Sequence, residues 1–198
     1  VTINMGTWLQ AVAGSVFVYQ LTGSSFDVGL ANFMGFIPIL LFSVHGGRLS
    51  DRLDRRRVVL ATHLLSAAST GALAIAAFAG VAGVPALVAA TFAVNVLWAL
   101  GKPSLQALVP NIVRREDLRD AVGMSSTGFQ LGQVIGPLIA AGSIAFAGPA
   151  FAFALNALTY LAPAWAMIVL FRLGLGGRAV GPGGGSMPGH AAPARASA

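Results

Sequence analysis

Three long stretches of this 198-residue chain are almost free of charge: residues 1–47 carry only Asp27, and residues 58–101 and 121–171 carry none. A helix needs about 20 apolar residues to cross a hydrocarbon core about 30 Å thick, so each stretch holds two crossings. Each is also interrupted near its middle by turn-forming residues, at Thr22-Gly23-Ser24-Ser25, at Gly80 to Pro85 and at Gly148-Pro149. The pattern predicts six transmembrane helices, over approximately 1–21, 27–46, 58–79, 85–106, 121–146 and 150–171. The expected architecture is an all-α integral membrane bundle over residues 1–172. Residues 173–198, dominated by Gly, Ala, Pro and Ser, read as a disordered tail.

Composition agrees with the pattern. With 56% hydrophobic and 9% charged residues, the chain has too little charge to cover a water-facing surface. The charge is also gathered. Seven of the 18 charges lie in the stretch GGRLSDRLDRRR, residues 46–57. All twelve Lys and Arg fall between spans two and three, around the link between four and five, or after span six. The three short turns contain none. Because Lys and Arg resist translocation, this asymmetry predicts a multi-pass protein of the cell membrane with its charged links and both termini in the cytoplasm. An Arg at the bilayer centre costs roughly 2.5 to 3.5 kcal/mol, so charge collects where the chain emerges.

Polar residues inside the spans are few, and their spacing matters. Thr91, Asn95, Trp98 and Lys102 lie within about 60° of arc on one helix, a row suited to a solute cavity in which Trp98 stacks and Lys102 attracts an anion. Equally, Asn95 could bond to a neighbouring helix and Lys102 could reach for the interface. Asn4 and Trp8 share a face of the first span, with Gln10 about a third of a turn away. In the fifth span Gly128, Gly132 and Gly136, followed by Pro137, form a small-residue stripe for close helix packing, while Gln130 and Gln133 project away from it toward a candidate cavity. Asp27, beside an outer turn, reads as an N-cap of the second helix rather than a proton carrier.

The charged island carries an order as well as a sign. Gly47-Arg48-Leu49-Ser50-Asp51-Arg52-Leu53-Asp54-Arg55-Arg56 resembles the signature between the second and third helices of the major facilitator superfamily, with Asp54 where many members have glycine. The stretch from Gly128 to Gly142 is similar to that family's fifth-helix signature, and Asn95 stands where an arginine motif is often found. Gly6-Thr7-Trp8-Leu9-Gln10, Ala107 to Val113 and Leu155-Asn156-Ala157-Leu158 look like segments of its drug and siderophore exporters of the enterobactin type. The resemblance implies half of a twelve-helix fold, two inverted three-helix repeats, working by alternating access. It implies a gating role for Gly47, Asp51, Arg52, Arg55 and Arg56, a small-molecule substrate, a second six-helix half as partner, and the proton as a candidate coupling ion. Gly46 and Gly47 are expected to turn the chain as it leaves the membrane.

Other classes receive less support. There is no cysteine, His45, His63 and His190 show no ligand spacing, and no constellation of catalytic acid, metal cluster or activated nucleophile appears, so neither an enzyme nor a cofactor is implied. The balance of +6 is accounted for by topology and lipid headgroups rather than nucleic acid. The alternative reading is a non-transporting assembly subunit that docks a partner on the Gly128 stripe, or a truncated, inactive half-transporter. Val1 opens inside an apolar run, as a fragment would.

Overall fold

The computed structural model describes residues 2–112 and 118–173, and within them the side chains outside 2–4, 48–52, 109–112, 118–119 and 121. The expected tail beyond Leu173 and the side chains of Asn4, Asp51 and Arg52 lie outside the described residues. Within them the chain forms α1 (Thr2–Thr22), α2 (Ser25–Arg52), α3 (Arg55–Phe78), α4 (Val84–Ile112) and α5 (Leu118–Arg172). All the regular structure of the described residues is helical.

α5 contains 55 residues but is not one rod. At Ala147 (φ −144°, ψ 15°) and Gly148 (φ 80°, ψ 177°) the helix breaks, and Gly148 occupies a backbone region open essentially to glycine alone. Packing shows the consequence. A Cβ on Gly136 would press on Met5 and Trp8 of α1, while one on Gly6 would press on Asn156 and Thr159. A straight helix would hold residues 136 and 156 about 30 Å apart, yet both meet α1 at the same level. The chain therefore doubles back at 147–148, giving a first arm (118–146) and a second arm (149–172).

Among the described residues, four helices are long and apolar enough to cross a membrane: Ser25–Gly47, Arg55–Phe78, Val84–Leu108 and Val122–Arg172, the last 51 residues long. The six expected spans thus map onto fewer helices for two physical reasons. Gln10 and Gln20 dilute the apolar character of α1, and the fifth and sixth expected spans are the two arms of α5.

The short turns lie where Gly and Pro predict them, and Gly23, Gly80 and Gly148 all take positive φ. The charged link is different. α2 runs through Gly46 and Gly47 to Arg52, so only Leu53 and Asp54 separate it from α3. Gly46 does not turn the chain; its missing side chain lets α2 lie against the backbone of Ala99 and Leu100 in α4. Asp54 is the N-cap of α3, its Oδ1 accepting from the Arg56 N–H at 2.9 Å. At the start of α2 the cap is Ser24, whose Oγ accepts from the Asp27 N–H at 3.2 Å, and Asp27 instead sits in the first turn, where the helix dipole favours an anion.

α1 and α3 pack on α5, while α2 and α3 pack on α4. Near the short turns the core is dry: Leu9, Ala13, Val18, Leu73, Leu87, Ala140 and Phe153 are buried together, with Phe17 edge-on to Phe153 at 5.6 Å. A smaller cluster of Val59, Leu108 and Met167 closes the opposite end. Between these two apolar ends lie the buried polar side chains of Gln10, Thr62, His63, Ser66, Thr70 and Asn156. Outward, α2 exposes Phe26, Phe33, Phe36, Leu40 and Val44, a surface unsuited to water and suited to lipid or to another apolar body.

Candidate functional site

Two hollows open between the helices. One, of about 550 Å³, is bounded by Thr62, His63 and Ser66 of α3, Trp98 and Lys102 of α4, Phe129 and Gln130 of the first arm of α5, and Tyr160 of the second. The other, of about 300 Å³, lies between α1, α2 and α4 and is more apolar, with Phe36, Ile39, Leu87 and Val88 in its wall. Val94, Trp98, Lys102, Phe129 and Tyr160 line both, so the two hollows share a partition.

The polar row on α4 is arranged along this partition. Thr91 and Asn95 face the smaller hollow, and Trp98 and Lys102 border both. Asn95 also donates from Nδ2 to the Gly35 carbonyl at 2.7 Å, so one side chain both joins α4 to α2 and contributes to the wall. Glycine at 35 makes that approach feasible, because a Cβ there would lie 3.2 Å from Thr91 and 3.3 Å from Asn95. The Lys102 ammonium lies 4.2 Å from the centroid of the Trp98 ring, a cation–π contact between residues one turn apart.

Gln10 is 5% exposed and belongs to a closed polar knot. Its Oε1 accepts from Asn156 Nδ2 at 2.7 Å and from Thr70 Oγ1 at 3.5 Å, and its Nε2 donates to Thr91 Oγ1 at 3.4 Å. Four elements, α1, α3, α4 and the second arm of α5, meet on one amide. Thr159 Oγ1 adds a bond to Asn156 Oδ1 at 3.2 Å. Gln10 therefore touches the smaller hollow but spends its hydrogen-bonding groups on structure. In a medium without water, such a knot sets the mutual register of the helices.

Other anticipated residues are distributed as follows. Trp8 lines the smaller hollow and Gln130 the larger; Gln133 is exposed and borders neither. Gly128, Gly132 and Gly136 are all buried, and Gly136 with Pro137 carries the first arm of α5 across α1. The stripe is occupied within the chain. Of the charged link, Gly47 is half-buried, Arg55 Nη1 donates to the Ala107 carbonyl near the end of α4 at 3.1 Å, and Arg56 lies 4.7 Å over the Phe171 ring and 3.6 Å from Asp54. These two arginines tie the start of α3 to the ends of α4 and α5.

His63, Ser66, Phe129 and Tyr160 line the larger hollow and were not singled out from the sequence. A signal existed. Thr62, Ser66 and Thr70 recur every four residues in an otherwise apolar helix, and Asn156 and Tyr160 share the same spacing. His63 Nδ1 bonds to the Val59 carbonyl at 2.6 Å, which fixes the ring one turn from Val59 and beside Tyr160, 6.4 Å between centroids.

The sequence profile described as transmembrane secretion effector matches residues 1–173. Among characterised proteins, the chain is 29% identical to macrolide efflux protein A of Streptococcus pyogenes over 125 residues, 63% of this chain and 31% of that one. It is 28% identical to the staphyloferrin A transporter of Staphylococcus aureus over 138 residues, 69% of this chain and 34% of the other. With the multidrug efflux pump Tap of Mycolicibacterium fortuitum it shares 31% over 154 residues, 74% of this chain and 37% of that pump. The chain spans about a third of the length of these relatives.

Proposed function

The chain belongs to the transmembrane secretion effector family of the major facilitator superfamily, and on that premise we propose that it forms the six-helix N-terminal half of a secondary transporter exporting small amphipathic compounds. The family is one of membrane transporters rather than enzymes. Here the two arms of α5 count as the fifth and sixth crossings, the arginine-bearing link and both termini face the cytoplasm, and a second six-helix half supplies the opposite wall of the cavity. The observation that carries this reading is the shared partition of Trp98, Lys102, Phe129 and Tyr160, a polar-lined hollow kept open inside an apolar bundle. Its residues are proposed to receive the solute, with Trp8, Thr91, Asn95 and Gln130 completing the wall. Gln133 and Asn4 are left outside that proposal.

Asp51 and Arg52, with Gly47, Arg55 and Arg56, are proposed to latch the two halves on the cytoplasmic side. Arg55 and Arg56 would then join the latch to the ends of α4 and α5. No acid lines either hollow among the described residues, so if export is driven by protons, the carrier is expected in the other half. The reading as an assembly subunit is less well supported, because Gly136 of its motivating stripe already packs against α1 and Gly128 and Gly132 are buried within the chain.

Dye retention by cells expressing the complete reading frame tests the proposal. Lower retention than in cells without the gene is expected, with Asp51→Ala restoring retention. Equal retention with and without the gene would overturn export, and undiminished export by Asp51→Ala would overturn the latch.

A further inference from the structure

Lys102 carries the only formal charge among the described residues lining the two hollows, if His63 is neutral. Among the described residues neither Asp nor Glu borders them, and His63 in either state supplies no negative charge. The place where the ammonium rests matters as well. Lys102 lies 18 residues beyond Val84, about 27 Å along α4, so a lysine seeking water would extend toward the nearer, arginine-bearing end. Instead Nζ turns back one turn and rests over Trp98, on the partition. A ring face attracts a cation from one side and leaves its other side open to the hollow. Around it the larger hollow presents the hydroxyl of Ser66 and the amide of Gln130, both able to donate, while the smaller hollow continues as an apolar wall.

Resting on the transporter reading above, we infer that this cavity selects amphipathic anions: a carboxylate or comparable anionic group docks at Lys102 on the side of the larger hollow, and an apolar body extends past Phe129 into the smaller one. A cation with no counter-charge among the described residues lining the cavity attracts an anion and repels a cation of the same shape. Trp98 is a positioning residue here, since it holds the ammonium inward.

The test uses the protein expressed from its complete reading frame and reconstituted in lipid nanodiscs, titrated by equilibrium dialysis with a naphthalene carboxylate and a trimethylammonium analogue of equal size. The carboxylate is expected to bind at least about tenfold more tightly than the ammonium. Lys102→Met should abolish that preference, and Lys102→Arg, which keeps the charge, should preserve it. Equal affinity of the parent for both probes, tighter binding of the ammonium, or an unchanged carboxylate affinity in Lys102→Met would overturn the inference. Binding is read apart from transport. Preferential carboxylate binding without efflux in cells sinks the export reading and leaves anion selection standing; efflux with equal binding does the reverse.

Discussion

Gln10 and Gln130 are the same side chain placed in the same apolar medium, and they end in opposite situations. Gln10 is enclosed, and its amide is shared among Asn156, Thr70 and Thr91 from three other elements. Gln130 is exposed along the larger hollow, and its amide is directed to no protein partner among the hydrogen bonds of the described residues. In hydrocarbon a primary amide must be satisfied by protein or by something admitted between the helices, because leaving it bare costs several kcal/mol. The first glutamine therefore reports how the bundle is held together. The second reports where the bundle admits water or solute. Both kinds of polar site are needed: the knot fixes helix register so that the hollow beside it keeps its shape.

The comparison can be broken by substitution, with unfolding followed in mild detergent. The largest loss is expected for Gln10→Ala, which leaves the buried Asn156 amide and Thr70 hydroxyl without their acceptor and opens a small cavity, about 3 kcal/mol in all. Gly136→Val should cost about 2 kcal/mol by forcing α5 away from Met5 and Trp8, whose nearest atoms stand 2.8 Å and 2.9 Å from the site of the new Cβ. Removing the cap of α3 with Asp54→Ala should cost about 1 kcal/mol, since one N–H bond is lost at an exposed helix end. Gln130→Leu should change stability by less than about 0.5 kcal/mol, as no protein partner is stranded. Equal losses in Gln10→Ala and Gln130→Leu would erase the distinction between knot and wall.

Much of this architecture was legible in the sequence, and the parts that were not share a cause. Gly23, Gly80 and Gly148 mark the turns because glycine and proline act locally. Where the helices end at the charged link was not legible, because apolar runs report where lipid stops, whereas a helix continues into water as long as its backbone bonds persist. α2 accordingly extends to Arg52 instead of ending near Gly46. The row from Thr91 to Lys102 was readable from its period. The roles of Gln10 and Asn156 were not, because they are settled by a bond across 146 residues of chain. Helical spacing identifies which residues share a face but not what that face meets.

Cysteine chemistry gives the most direct test of the central claim, that a hollow is held open inside this bundle, since the chain has no cysteine of its own. Gln130→Cys, Val134→Cys and Ala140→Cys all lie on the first arm of α5, at the hollow, on the exposed apolar face and in the dry core respectively. In reconstituted protein from the complete reading frame, a small charged thiol reagent is expected to modify position 130 at least about tenfold faster than positions 134 and 140. Comparable rates at all three positions, or faster modification at 134, would contradict it.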